Sequence, residues 1–196
     1  TPWGGKVKIG TVGLPLPNTD IKIVDVNKGI RELPVGEPGE ICIKGPQVMS
    51  GYYKKPEETA NSLRDGWFYT GDIGYFDQDG YLTISDRKKD VIVASGFNIF
   101  PKEIDEILFE HPKIGEACCI GIPDEYRGET VKAYIVVKPG ETLTKQEVIA
   151  FCKERMTAYK VPTEVEFIDE LPKSAIGKIM RRELRDMDRK KREKAL

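Results

Sequence analysis

Around Arg87-Lys88-Lys89-Asp90 the chain changes rhythm, from short strands broken by Gly and Pro to strands that alternate with helices. Before that point apolar and polar residues alternate in Ile21-Lys22-Ile23 and Ile41-Cys42-Ile43, the period of a half-buried strand. Asp77-Gln78-Asp79-Gly80 carries an Asp-Gly turn signal between Ile73-Gly74-Tyr75-Phe76 and Tyr81-Leu82-Thr83-Ile84, which predicts a hairpin with Asp72 at its base. After the change come a short strand at Val91-Ile92-Val93, a glycine turn at Gly96 and a helix opening near Pro101, where Ile104, Ile107 and Leu108 recur at helical spacing. Further strands are expected at 117–122, 132–137 and 165–168. Thr144-Lys145-Gln146-Glu147 has the form of a capping box, and Val148, Phe151, Cys152 and Met156 supply the apolar stripe of the helix it would open. The expectation is an α+β chain, β-rich at first and then a small α/β domain of about 110 residues, large enough for its own core.

Composition excludes several classes. With 196 residues, 39% apolar and 32% charged, the chain is ordinary for a globular protein of one large or two small domains. A net charge of -1 gives no bulk attraction to nucleic acid or an anionic membrane. No run approaches the roughly 18 apolar residues of a membrane span, and Thr1-Pro2-Trp3-Gly4-Gly5 lacks the regions of a secretory signal, so a cytoplasmic location is expected. Cys42, Cys118, Cys119 and Cys152 show no C-x-x-C spacing and read as buried reduced thiols, with Cys118 and Cys119 on opposite faces of one strand. The single histidine, His111, sits in Glu110-His111-Pro112 and suits a helix end better than a metal site or a Ser-His-Asp triad. The basic tail from Arg181-Arg182 to Lys194 is interrupted by Glu183, Asp186, Asp188 and Glu193, and reads as a solvated helix face with at most a peripheral membrane contact.

Two motifs carry chemistry. Asp65-Gly66-Trp67-Phe68-Tyr69-Thr70-Gly71-Asp72, continuing to Ser85-Asp86-Arg87-Lys88-Lys89-Asp90, resembles the signature segment of fatty acyl-CoA synthetases. Leu171-Pro172-Lys173-Ser174-Ala175-Ile176-Gly177-Lys178-Ile179 resembles the catalytic lysine loop of the adenylate-forming superfamily, which also holds luciferases and peptide-synthetase adenylation domains. Nearly end to end, the chain is similar to the C-terminal part of AMP-forming long-chain fatty acyl-CoA synthetases. That resemblance implies that residues 1–86 are the β-rich, barrel-like end of a large N-terminal domain, that 87–90 are a hinge, and that 91–196 are a mobile C-terminal domain. It also implies the substrates, a fatty acid, ATP and CoA, with Mg²⁺ following from the ATP chemistry.

Roles follow from the resemblance residue by residue. Asp72 would accept hydrogen bonds from the ribose hydroxyls, where an ionised carboxylate receives two donors at once; its plain alternative is a turn residue after Gly71. Arg87 would hold the ribose with its permanently charged fork, the alternative being a surface arginine in a basic run. Lys89 matches the hinge position, although Lys88 and Lys89 also read simply as solvated lysines. Lys178 would bind the nucleotide and act in catalysis, offsetting the charge that develops as a carboxylate closes on the α-phosphate. Ser95 and Gly96 lie in the loop 94–98, which resembles the segment lining the pantetheine tunnel for CoA and equally reads as a turn ahead of a helix. Met156 to Pro162 matches a family segment expected to position the last lobe. No metal ligands are expected.

The family's upstream phosphate loop and acyl pocket have no counterpart in this sequence, so the missing N-terminal part of the same enzyme is an expected partner and the chain alone is expected to be inactive. An aryl-CoA ligase, another adenylate-forming enzyme and a free-standing binding module are the alternatives.

Overall fold

The structure is a computed structural model and describes residues 5–195, with side chains to residue 194. The reading of the first residues as lacking a secretory signal lies mostly outside these described residues. The chain divides into two compact units, Thr1–Lys89 and Asp90–Leu196.

The first unit is one curled antiparallel sheet. Its strands are β1 (Asp20–Val24), β2 (Gly39–Lys44), β3 (Leu63–Arg64), β4 (Trp67–Phe76) and β5 (Leu82–Arg87), ordered β1-β2-β4-β3, with β5 also paired to β4. The Asp-Gly turn closes the β4–β5 hairpin as its chemistry requires: the Asp77 carboxylate accepts from the amides of Asp79 and Tyr81, and Gly80 takes φ +77°. A register shift between Ile73 and Gly74 bends β4. Gly74 has no substitute there, since a Cβ would lie 2.2 Å from the Thr83 carbonyl oxygen. Ile23, Ile41 and Leu82 form the small core. Alternation fails at one point, because Cys42 is as buried as Ile41 and β2 is covered on both faces; burial pushes the Cys42 thiol up to about 12.

A helix, α1 (Pro56–Ser62), stands where the sequence suggested only short strands and turns. It buries no residue and so has no apolar stripe to reveal it, only Pro56 at its start and Glu57 and Glu58 in its first turn.

In the second unit, β6 (Ile92–Ala94) and β7 (Phe97–Ile99) form a hairpin, followed by α2 (Pro101–Phe109), β8 (Ile114–Asp124), β9 (Gly128–Val137), α3 (Lys145–Lys153), β10 (Glu164–Phe167) and α4 (Arg181–Ala195). β9 is the centre of the sheet: β8 runs antiparallel along it, while β10, parallel, and β6 share its other edge. Both faces are covered. Ile104 and Leu108 of α2, with Val148 and Cys152 of α3, close one face over Cys119, Ala133 and Ile135. Leu184 of α4 and Leu171 close the other over Cys118, Ile120 and Tyr134. Cys118 and Cys119 therefore point to opposite faces, and all four thiols are buried and reduced.

The capping box is formed, with the Thr144 hydroxyl and the Glu147 carboxylate exchanging bonds with each other's backbone amides. α3 ends at Lys153, so Met156 packs on the core from beyond the helix rather than as part of its stripe. The solvated reading of the basic tail is corrected: α4 buries Leu184 and Asp188, and charged residues seat it. Lys132, 8% exposed, donates to Asp188 at 2.5 Å and lies 2.8 Å from Glu166, while Arg192 reaches Asp188 at 2.6 Å. Burial works against the Asp188 carboxylate, yet the bonds from Lys132 and Arg192 hold it below its ordinary pKa. No helix among the described residues is long and apolar enough to cross a membrane.

Candidate functional site

The sequence-predicted residues fall into a carboxylate–guanidinium pair on the first unit, the short turn at its end, and two loops of the second unit. Asp72 on β4 and Arg87 on β5 are directly opposed across the hairpin ladder. Register sets Arg87 Nε 2.7 Å from Asp72 Oδ1, with the side chains 54% and 28% exposed. The backbone beneath is fixed by Thr70, whose hydroxyl donates to the Ile41 carbonyl at 2.9 Å and accepts from the Asp72 amide at 3.1 Å. Gly71, at φ +71°, turns the chain between them. Asp72 thus spends one carboxylate oxygen on Arg87 and keeps the second for another donor. Thr70 and Asp72 also edge an apolar groove of about 440 Å³ lined by Val12, Leu14, Ile43 and Phe68.

Lys88 to Asp90 make one turn of 3-10 helix. Lys88 is not merely solvated, since its ammonium sits 2.7 Å from the carboxylate of Glu40, a residue only 3% exposed. Asp90, 9% exposed, accepts from Arg185 of α4 at 2.6 Å. Lys89 between them is exposed and forms no ion pair among the described residues.

Ser95 and Gly96 are the two-residue turn of the β6–β7 hairpin, with Ala94 facing Phe97 across it. Both take positive φ, +51° and +82°, the backbone of a type I′ turn. The Ser95 amide donates to the Arg127 carbonyl at 2.8 Å, so the turn leans on the β8–β9 connection, and half-exposed Phe97 stacks on Tyr159 at 4.7 Å.

Lys178 lies on the returning arm of an exposed hairpin loop. Lys173 and Ile179 pair as an isolated bridge, the Met180 amide donates to the Pro172 carbonyl at 2.8 Å, and the Ser174 amide to the Lys178 carbonyl at 2.8 Å. Gly177, at φ +77°, makes the reversal, and the Ser174 hydroxyl accepts from the Lys178 amide at 3.2 Å. At the base, Lys173 is paired with Glu116 at 2.6 Å. Such a loop presents an ammonium on a defined backbone while leaving it in solvent.

Residues 103–178 match the family described as AMP-binding enzyme C-terminal domain, and residues 1–53 match the AMP-binding enzyme family. Across both stretches the chain is similar to AMP-binding enzymes. It is 53% identical, over 93% of its length, to a long-chain-fatty-acid--CoA ligase of Bacillus subtilis, and 50% identical, over 93%, to one from Escherichia coli O6:H1. It spans about a third of those relatives, 32% in each case. Among solved structures it is similar to ATP-bound MatB from Rhodopseudomonas palustris, with a TM-score of 0.87 and 37% identity, covering 95% of this chain and 37% of that one. It is also similar to o-succinylbenzoate CoA synthetase (MenE) of Bacillus subtilis in complex with an acyl-adenylate intermediate, with a TM-score of 0.78 and 37% identity, covering 90% and 36%.

Sequence reasoning missed the groups beneath the Lys178 loop. Asp105 on α2 is 7% exposed; it accepts from the Cys119 amide at 2.7 Å and from the Arg181 guanidinium, whose Nε also donates to the Cys119 carbonyl at 3.3 Å. Burial outweighs the attraction of Arg181 and pushes the Asp105 carboxyl up to about 6. The signal was present: Asp105 lies beside Ile104 and three residues before Leu108, so a carboxylate occupies the buried face of α2. Among the described residues no group of three or more His, Cys, Asp or Glu is placed to hold a metal ion.

Proposed function

We propose that this chain is the C-terminal portion of a cytoplasmic, AMP-forming long-chain fatty acid–CoA ligase. In the first half-reaction a fatty carboxylate attacks the α-phosphate of ATP, giving acyl-AMP and pyrophosphate. In the second the thiol of CoA attacks the acyl carbonyl, and AMP leaves as the thioester forms. What supports this is one combination: 53% identity to a long-chain ligase together with the Lys178 loop and the Asp72–Arg87 pair, both complete. ATP-bound and adenylate-bound relatives of similar fold add to it.

Asp72 would accept the ribose hydroxyls through the oxygen that Arg87 leaves available, and Arg87 would donate with the remaining edge of its fork. Lys178 would meet the charge building on the α-phosphate; an ammonium on a preorganised loop requires little reorganisation at that moment. Lys89, exposed and unpaired between two anchored neighbours, would be the pivot that changes the second domain's orientation between half-reactions. The open Ser95-Gly96 turn lets backbone approach the pantetheine chain closely. Mg²⁺ would arrive bound to the phosphates of ATP; among the described residues no group of three or more His, Cys, Asp or Glu is placed to hold it.

The test uses the full-length ligase. Fatty-acid-dependent ATP–pyrophosphate exchange and CoA-thioester formation are measured across medium-chain, long-chain and aromatic acids, with Lys178→Ala beside the parent. Thioester from long-chain acids is expected, with exchange lowered about 10²–10³-fold in the variant and CoA transfer from supplied acyl-AMP retained. Activity only on aromatic acids would discard the fatty acid assignment, and an unaffected variant would remove Lys178 from the chemistry.

A further inference from the structure

Apart from Ile179, partly buried against the cluster that holds Leu171 and Leu184, the Lys178 hairpin has no packed core, and Ile176 in its turn is 89% exposed. Its position is therefore set at its two ends. One end is Leu171, 1% exposed under α4, together with the Lys173–Glu116 pair. The other is Arg181, three residues beyond Lys178 and the first residue of α4, whose guanidinium binds the buried Asp105 carboxylate and the Cys119 carbonyl together. A planar fork gripping a carboxylate and a carbonyl fixes direction as well as distance, which an aliphatic contact cannot do.

Resting on the function proposed above, we infer that Arg181, held by Asp105, is a positioning residue for adenylation: it fixes the base of the Lys178 hairpin and so sets where the ammonium reaches. Asp105 makes this anchor responsive to pH. The charged and titratable groups that act on it are Arg181 of α4 and the Cys118 and Cys119 thiols of β8; beyond these, Asp90, bound to Arg185, acts on Cys118, and the Cys152 thiol of α3 acts on Cys119. Burial pushes Cys118 up to about 12, Cys152 up to about 11 and Cys119 well above its ordinary value, so these thiols stay protonated. Asp105 is left to titrate below neutrality. Its protonation removes the charge from the bond to Arg181 while relieving a buried carboxylate, so the anchor weakens as the fold gains.

The experiment compares Arg181→Met, Arg181→Lys, Asp105→Asn and Lys178→Ala in the full-length ligase. Arg181→Met is expected to lower the kcat of fatty-acid-dependent ATP–pyrophosphate exchange about 10²-fold, the scale of a misplacement of roughly 1 Å, with KM for ATP and CoA transfer from supplied acyl-AMP little changed. Arg181→Lys should recover part of it. From pH 7 to pH 5 the parent's exchange rate should fall relative to Asp105→Asn, while its unfolding midpoint rises relative to the same variant. A purely structural role would move rate and midpoint together, and that result overturns the inference, as does equal loss in both half-reactions or unchanged exchange. Should Arg181→Met fail to fold, Arg181→Lys and the Asp105→Asn pH comparison decide. A selective Lys178→Ala defect with silent Arg181 and Asp105 variants sinks this inference alone; a silent Lys178→Ala removes the underlying function as well.

Discussion

The first unit leaves Val7, Ile9, Val12, Leu16 and Ile30 more than half exposed and carries an apolar groove of about 440 Å³, whereas the second closes both faces of its sheet until Ile99, Ile104, Leu108, Tyr134 and Leu184 are out of water. Apolar surface stabilises only when removed from water, at about 25 cal/mol per Å². The same chain thus holds one region with a complete core and one whose sheet is formed but half covered. Candidate chemistry follows the same division. The Asp72–Arg87 pair is set by strand register and the Thr70 hydroxyl beneath it, while the Lys178 loop is set by packing and ion pairs.

The largest expected effect comes from separating the two regions. Residues 90–196 expressed alone should unfold in one cooperative transition, while residues 1–89 alone should bind a hydrophobic dye and melt broadly. A sharp transition from 1–89 would show that its small core suffices and would break the contrast.

Next come single side chains, chosen in pairs across the contrast. Asp188→Ala removes the more buried of the two carboxylates bound to Lys132, in a site only 4% to 8% exposed, and should cost about 3 kcal/mol in urea unfolding. Lys55→Ala breaks an ion pair whose side chains are 58% and 56% exposed, and should cost less than about 0.5 kcal/mol. Leu184→Ala, in the core under α4, should cost about 3 kcal/mol, against less than about 0.5 kcal/mol for Val12→Ala on the groove. Equal losses within either pair would mean that burial is not what separates the two regions.

What could be read from the sequence divides by range. The capping box at Thr144, the Asp-Gly hairpin and the opposed faces of Cys118 and Cys119 are local, and each was legible because a few adjacent residues carry the whole cause. α1 was not legible because a helix that buries nothing leaves no periodicity. α4 misled because its seat is made largely by charges: Asp188 and Arg192 look solvated until Lys132 and Glu164, far away in the chain, are brought beneath them. For the candidate site, motif recognition found Asp72, Arg87 and Lys178, but the partners that hold them are Thr70, Glu116 and Asp105, whose importance is created by the fold.

The most diagnostic effect is that of pH on the second region. Asp105 is raised from an ordinary 3.8 to about 6, so between those values the folded state holds a proton that the unfolded state releases. Its contribution to stability is therefore greatest in mild acid and falls away as pH rises toward 6 and beyond. The shift corresponds to on the order of 2 kcal/mol between pH 4 and pH 7. His111 works the other way, since burial lowers its pKa and folding resists its protonation as pH drops through 6.5. Asp188 and Glu166, despite burial, are held low by their bonds to Lys132, so the stability they contribute is present above pH 4 to 5 and is lost in stronger acid. Asp105 is isolated by difference: in urea unfolding of the whole chain at pH 7, 6 and 5, the parent should gain stability over Asp105→Asn as pH falls. A parent curve parallel to that of the variant would mean that Asp105 keeps its charge through the whole range. In that case the Arg181 anchor would hold at every pH, and the contrast between a register-set pair and a pH-sensitive loop would disappear.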